Sequence, residues 1–169
     1  IKNSKVYFHY KTIPTSIYKT TVLQFLQELL YAVIKEESAN IDLYEFIEVH
    51  LQYFDECMDF NPNYHLYFTI ELTKYFGFYP QGKYAKGMTF NIEEGQFDWS
   101  HKSAEQIDSN LSENLYLLTE SNIENNKRIK LSVKDRRNLL NELIVYYQYH
   151  LDGFKELKSI PILESLFSD

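Results

Sequence analysis

Apolar residues recur along most of the chain at the spacing of helices that bury one face. The first such stretch covers residues 22–34, and Thr21 with Gln24 predicts a capping box at its start. A second stretch follows Asn40, whose side chain is a good acceptor for the first free N–H groups of a helix. The chain is therefore predicted to begin with two amphipathic helices.

A third helix is predicted to lie at the centre of the fold. Asn61-Pro62 suits its start, because proline at the first helical position gives up only an N–H that would have no partner in the helix. Apolar side chains then occur on most sides of the helix. Gly77 provides the left-handed residue that commonly ends a helix.

The helical spacing fails over residues 81–100. Three glycines interrupt this segment, and Met88, Phe90 and Ile92 alternate with polar residues. Short alternation followed by a glycine turn is typical of a β-hairpin. We expect a loop that carries one small hairpin.

Helical spacing returns in the C-terminal half of the chain. Ser103 with Gln106 predicts a second capping box, followed by apolar residues at near-helical spacing up to Leu118.

The longest amphipathic stretch begins at Ser132 with Asp135 and ends at Gly153, and a short last helix covers residues 159–167. The predicted fold class is an all-α helical bundle of about six helices, with one loop or β-hairpin insertion near residues 81–100.

Composition supports a folded chain and disfavours some partners. Of the 169 residues, 44% are hydrophobic and 17% are aromatic, which excludes the composition of an intrinsically disordered chain. The 17 Lys and Arg face 24 Asp and Glu, and the net charge of −7 disfavours tight binding of nucleic acid by the chain alone. No apolar run approaches the roughly 20 residues that span a bilayer. We expect a cytoplasmic protein with no membrane partner.

Few residues are candidates for catalysis or metal binding. Cys57 is the only cysteine, and His50 seven residues before it does not complete the four ligands of a structural zinc site. The pairs Glu36-Glu37 and Glu93-Glu94 are adjacent in sequence, so neither shares a helix face as a catalytic pair would. We predict no enzymatic activity, no metal and no cofactor. The alternative is a hydrolase that uses His50 or His65.

Several stretches together resemble the C-terminal domain of the RecO family of DNA repair proteins. The most specific resemblance is the tail from Asp135-Arg136-Arg137-Asn138-Leu139-Leu140 through Tyr146-Tyr147-Gln148-Tyr149-His150-Leu151-Asp152-Gly153-Phe154. The others are Phe25-Leu26-Gln27-Glu28-Leu29-Leu30-Tyr31, Asn63-Tyr64-His65-Leu66-Tyr67-Phe68, Tyr75-Phe76-Gly77-Phe78-Tyr79-Pro80 and Phe90-Asn91-Ile92-Glu93-Glu94-Gly95-Gln96-Phe97. Their order and spacing carry the resemblance, which covers residues 20–169.

The resemblance implies a recombination mediator that acts in DNA repair and homologous recombination. It implies an upstream OB-fold that contacts DNA, so residues 1–19 are predicted to lead in from a missing N-terminal domain and residues 20–169 to form the helical domain. The implied partners are RecR and the acidic tail of single-stranded DNA-binding protein, which ends in an apolar residue with a free carboxylate. Many relatives carry four zinc-binding cysteines after the glycine that ends the central helix. This chain has none there, so no zinc is expected and packing should hold residues 81–100.

A cationic cluster is the candidate partner-binding site. Its six residues fall within 11 positions of an otherwise acidic chain and are Lys127, Arg128, Lys130, Lys134, Arg136 and Arg137. Such a patch can attract an acidic peptide despite the net charge, because salt limits the reach of each charge to about 8 Å. We expect Arg136 and Arg137 to matter most. The alternative is a set of solvated charges at the start of a helix.

Two further interpretations concern nucleic acid. Tyr146, Tyr147, Tyr149 and His150 could stack on bases, but helical spacing puts Tyr147 on the core stripe and favours packing. The basic segment 127–137 could instead enter a DNA groove, as in a helical transcription regulator, or serve a generic adaptor. Binding to duplex DNA with a steep salt dependence would favour the transcription-regulator alternative.

Overall fold

The computed structural model describes residues 8–35, 40–99 and 106–166. Six α-helices and three short strands occur in these ranges. They are α1 Ile17–Val33, α2 Ile41–Glu56, α3 Tyr64–Leu72, β1 Thr89–Asn91, β2 Gln96–Asp98, β3 Gln106–Ile107, α4 Ser109–Thr119, α5 Val133–His150 and α6 Ile160–Leu166. Short 3-10 turns lie at Ile13–Thr15, Thr73–Phe76 and Asn126–Arg128. The all-α prediction is confirmed in part: about six helices are present, but a small antiparallel sheet accompanies them. None of the helices in the described ranges is long and apolar enough to cross a bilayer.

Helix α3 is the central helix, as its apolar sequence predicts. Eight of its nine residues are buried, and α1, α4 and α5 pack against it. Gly77 ends the following 3-10 turn with a left-handed φ of 81°. The predicted start is wrong by two residues: the helix begins at Tyr64, with Asn63 as its N-cap, and not at Pro62. Residues 61–64 instead form a separate turn, in which the N–H of Tyr64 bonds to the Asn61 carbonyl.

Two predicted N-caps are confirmed. Asn40 Oδ1 accepts the N–H of Leu43 at 3.0 Å and begins α2. Ser132 Oγ accepts the N–H of Asp135 at 3.0 Å and begins α5. In each case one polar side chain satisfies a donor that the first helical turn leaves free.

Two predicted capping boxes are wrong. Helix α1 begins four residues before Thr21, because Ser16 Oγ already accepts a backbone N–H of the first turn. Helix α4 is capped by Asp108, whose carboxylate accepts two backbone N–H groups. Gln106 lies in β3 rather than in a helix, and Ser103, its predicted partner, lies outside the described residues.

The predicted β-hairpin is present as part of a larger sheet. Strands β1 and β2 are antiparallel with Phe90 opposite Phe97, and β3 pairs with the other edge of β1, with Ile107 opposite Phe90. The fold is therefore mostly helical rather than purely all-α. The side chains of Phe90, Phe97 and Ile107 are all buried. Gly95, in the turn between β1 and β2, has a φ of 66°, and a Cβ there would lie 2.8 Å from the Tyr146 hydroxyl.

Most of the aromatic block at the end of α5 packs in the core, which confirms the packing interpretation for Tyr146 and Tyr147. Tyr146 and Tyr147 are fully buried, and their hydroxyls donate to the carbonyls of Phe78 and Thr69. The imidazole of His150 stacks on the Phe78 ring with 5.2 Å between centroids. Of the four residues in the block, only Tyr149 is classed as exposed.

A buried carboxylate fixes the segment before α1 to the end of α2. Asp55 is 1% exposed and accepts the backbone N–H groups of Lys11, Thr12 and Ile13 at 2.8, 2.8 and 2.9 Å. Burial alone would raise the pKa of Asp55, but these backbone donors and the Thr12 hydroxyl hold it below its ordinary value. Lys19 Nζ donates to the carbonyl of Asp55 at 2.9 Å. We call this arrangement the Asp55 clamp.

Candidate partner-binding site

Two consecutive segments place the six cations of the predicted cluster. Lys127 and Arg128 lie in the 3-10 turn, Lys130 lies in the link that follows, and Lys134, Arg136 and Arg137 lie in the first two turns of α5. Because Ser132 caps α5 directly after the link, the turn and the helix follow one another closely.

Buried amides hold the 3-10 turn against the residues that precede α3. Asn126 is fully buried, and its Oδ1 accepts from Asn61 Nδ2 at 2.9 Å. Asn63 Nδ2 donates to the carbonyls of Asn126 and Ile129 at 2.9 and 2.8 Å. Because buried amides are costly to leave without partners, these bonds fix the path of the cationic segment.

Three of the six cations have partners within the chain. The Lys127 ammonium lies 2.5 Å from Asp59 Oδ2, Arg136 Nη1 donates to the Leu131 carbonyl at 2.6 Å, and Arg137 Nε lies 3.7 Å from Glu164 Oε1. The other three, Arg128, Lys130 and Lys134, are exposed and have no ion-pair partner within the described ranges. The cluster thus combines three positioned cations with three solvated ones.

An apolar pocket lies beside the 3-10 turn Asn126–Arg128, which we call the cationic turn. It has a volume of about 150 Å³, and its lining includes Tyr18, Met58, Asp59 and Phe60. Met58 is 84% exposed and Phe60 is 61% exposed, while the Tyr18 ring packs on Phe60 with 4.7 Å between centroids. Asp59 carries the ion pair to Lys127, so one cation of the cluster lies at the rim of this pocket.

Arg136 of α5 lies close enough to Tyr18, one of the residues that line this pocket, to act on it electrostatically. Burial raises the pKa of the Tyr18 hydroxyl, and the positive charge of Arg136 offsets part of that rise. Tyr18 donates from its hydroxyl to the Asn61 carbonyl, which keeps its ring against the segment that carries Phe60. Arg136 itself lines a different crevice, beside His65 and Leu163.

A second crevice under the two arginines is too small to hold a side chain. Arg136, Arg137, Leu140 and Leu163 are among its lining residues, and its volume is about 10 Å³, which is room for roughly one water molecule. His65 closes its floor, and burial followed by the nearby Arg136 charge lowers the pKa of His65 to about 3. A partner's apolar side chain fits the larger pocket by Tyr18 better.

Sequence patterns did not identify Met58 and Phe60. They lie between α2 and α3, where no helical or alternating spacing marks a buried face. The available signal was the run Cys57-Met58-Asp59-Phe60, in which large apolar residues occur in a short connecting segment next to Asn61-Pro62. Exposed apolar residues beside charges are typical of docking surfaces.

The histidines considered for catalysis are core residues. His50 is 8% exposed and His65 is 2% exposed. Burial, with a smaller contribution from the Lys74 charge, lowers the pKa of His50 to about 4, and its ring stacks on Tyr67 at 5.9 Å. Within the ranges that the structure describes, no three His, Cys, Asp or Glu side chains are placed to hold a metal ion. Both histidines are thus buried, and His65 borders the crevice of about 10 Å³ under the two arginines.

Comparisons with known proteins agree on one family. A family model described as "Recombination protein O C terminal" matches residues 14–159. The chain is 37% identical to a DNA repair protein RecO of Flavobacterium johnsoniae over 169 residues, which is 99% of this chain and 69% of the relative. It is 36% identical to that of Flavobacterium psychrophilum with the same coverage, and 30% identical to that of Bacteroides fragilis, of which it covers 70%. No solved structure matches significantly.

Proposed function

Since the chain belongs to the RecO family of DNA repair proteins, we propose that it is the partner-binding part of a recombination mediator. Family membership supports a role in DNA repair and recombination. We propose that the cationic cluster docks the acidic tail of single-stranded DNA-binding protein, and that RecR binds elsewhere on the chain. DNA is proposed to bind mainly through an N-terminal domain. The proposed role is non-enzymatic and needs no cofactor.

The observation that carries the proposal is an apolar pocket with one cation of the cluster, Lys127, at its rim. Arg128, Lys130 and Lys134 are exposed and would steer an acidic chain toward the surface. The apolar residue at the end of that chain would enter the pocket beside Phe60, because buried apolar anchors supply most of the affinity at such contacts. Its carboxylate would then pair with Lys127 at the rim of the pocket.

Lys127 is suited to change partners. It pairs with Asp59, whose side chain is 73% exposed. Exposed ion pairs contribute little to stability, so exchanging Asp59 for a carboxylate of the tail costs little. Arg136 is different, because its bond to the Leu131 carbonyl fixes the guanidinium before any partner arrives.

Peptide titration tests this function. The probe is a labelled peptide with the acidic C-terminal tail sequence of single-stranded DNA-binding protein, and the readout is fluorescence anisotropy. Replacing Arg128, Lys130 and Lys134 with Ala should weaken binding at least about tenfold, which corresponds to roughly 1.4 kcal/mol. The Arg136→Ala/Arg137→Ala variant should weaken peptide binding more than this triple variant does. An amidated peptide should also bind less tightly, because it lacks the terminal charge.

Further measurements separate a site from general charge attraction. Replacing Lys155 and Lys158, which are exposed elsewhere on the chain, should leave affinity nearly unchanged. Phe60→Ser should weaken binding without changing the net charge. Unchanged affinity in both cluster variants would refute the proposed site. Steeply salt-dependent binding of duplex DNA that is lost in the same variants would instead support the DNA-groove alternative.

A further inference from the structure

A second surface has the opposite charge. No lysine or arginine occurs in the sequence between Lys35 and Lys74. Helix α2 lies in this interval, and Asp42 and Glu45 are exposed on it. This surface would repel an acidic chain and attract a basic one.

An open apolar groove lies beside these carboxylates. It is bounded by the end of α1, the first half of α2 and the 3-10 turn Thr73–Phe76, and its volume is about 890 Å³. The apolar residues that line it include Val33, Ile34, Leu43, Ile47, Tyr75 and Phe76. Lys35 and Asn40 line one end, and residues 36–39 between them lie outside the described residues.

Large apolar side chains are exposed at the edge of the groove. Ile41 is 69% exposed and Tyr44 is 60% exposed, and both lie on the first two turns of α2. Isolated exposed apolar residues are ordinary, but a continuous apolar groove with such edges is typical of a site that receives a helix. Grooves of this kind bind the apolar stripe of an amphipathic helix through residues three and four positions apart.

Three carboxylates lie near Tyr75, which lines the groove. Burial raises the pKa of Tyr75, and the nearby charges of Glu71, Asp42 and Glu45 raise it further. The two lysines nearby are already engaged within the chain. Lys74 pairs with Glu71 at 2.6 Å, and Lys35 donates to the Asp152 carbonyl, which leaves the positive charge of Lys35 at one end of the groove. Asp42 and Glu45 therefore remain to pair with an incoming cation.

We propose that this groove binds a cationic amphipathic helix of a partner protein. Apolar side chains of that helix would fill the space beside Leu43, Ile47 and Phe76, and its lysines or arginines would pair with Asp42 and Glu45. The proposal goes beyond the docking of an acidic tail, because it assigns a partner of opposite charge to a different surface. Charge complementarity selects a basic helix over an acidic peptide or nucleic acid.

A designed peptide tests the groove. The probe is a labelled peptide of about five helical turns with leucines on one face and lysines on the other. The wild-type protein should bind it, and Asp42→Asn/Glu45→Lys should weaken binding at least about tenfold. A matched peptide with glutamate in place of lysine should bind this variant more tightly than it binds the wild type. Thermal melting shows whether the variant stays folded.

The control changes the net charge by the same amount at another place. Glu113→Lys/Glu124→Gln alters exposed acids on α4 and in the loop after it, and it should leave affinity for the cationic peptide nearly unchanged. Equal weakening in the control and the groove variant would mean that only the net charge matters, and the proposal would fail. Absence of peptide binding to the wild type would overturn it as well.

Two further measurements separate other outcomes. Sedimentation velocity of the protein alone tests for self-association. Dimers that disappear in Asp42→Asn/Glu45→Lys would make a second copy the occupant and overturn the partner-helix proposal. The acidic-tail peptide should bind this variant at least as well as the wild type. If the groove proposal fails, the result for the acidic-tail peptide at the cationic cluster can therefore still be interpreted, and the reverse also holds.

Discussion

Replacing Asp55 with Asn should destabilise the fold through the Asp55 clamp. The carboxylate accepts three backbone N–H groups at 2.8 to 2.9 Å, and the residue is 1% exposed. Hydrogen bonds to a charged group each contribute about 1.5–3 kcal/mol, but neighbouring bonds are not additive. Asparagine keeps one acceptor oxygen and loses the charge, so at least one donor is left without a partner. We expect the free energy of unfolding to fall by about 2–3 kcal/mol.

The effect of pH on this prediction has a definite sign. The pKa of Asp55 is lower in the folded than in the unfolded chain, so the folded state favours the ionised form. The clamp therefore contributes its full stability above the unfolded pKa of about 3.9 and loses it as pH falls through the folded value. The difference between wild type and Asp55→Asn should accordingly be constant near neutral pH and shrink in acid.

Urea unfolding followed by circular dichroism measures this difference. Glu56→Gln is the matched control, because Glu56 is exposed on the same helix, and its loss should change the free energy of unfolding by less than about 0.5 kcal/mol. Asp55→Ala should destabilise at least as much as Asp55→Asn. Equal midpoints for Asp55→Asn and wild type at neutral pH would show that the backbone donors find other partners. The clamp would then contribute nothing to stability.

Two further substitutions and a change of pH test other parts of the fold. Gly95→Ala should lower stability by more than about 1 kcal/mol in urea unfolding, because φ is positive and the new Cβ meets the Tyr146 hydroxyl. Ser132→Ala should cost about 1 kcal/mol in the same assay, whereas Ser132→Thr should stay close to wild type. Burial lowers the pKa of His50 to about 4 and of His65 to about 3. Unfolding frees both to protonate near pH 6.5, so the unfolding midpoint should fall as pH drops below about 6.5.

Local sequence rules predicted the features that depend on neighbouring residues. Asn40 and Ser132 were identified as caps because a cap needs only a side-chain acceptor and the N–H groups two or three positions later. Gly77 was identified because a left-handed residue after a helix favours glycine. The hairpin was found from alternation, and its register follows from the burial of Phe90 and Phe97.

The missed features depend on residues far apart in sequence. Strand β3 has two residues, too few to show alternation, and it exists because Phe90 of β1 offers a free edge to Ile107. The Asp55 clamp joins residues 42 to 44 positions apart. On α2 alone, Asp55 is indistinguishable from a solvated acid such as Glu56. The cationic residues were visible in sequence, but the pocket beside them requires the packing of Phe60 on Tyr18.

The two proposed surfaces are positioned by opposite ends of α3. Asn61 and Asn63, just before its first turn, hold the cationic turn, while Thr73–Phe76, directly after its last residue, borders the acidic groove. Nine helical residues span about 14 Å, which exceeds the screening length of about 8 Å at physiological salt. Charge at one surface therefore acts weakly at the other. If both proposals hold, one helix positions an acid-binding and a base-binding surface, and binding at one should depend little on charge at the other.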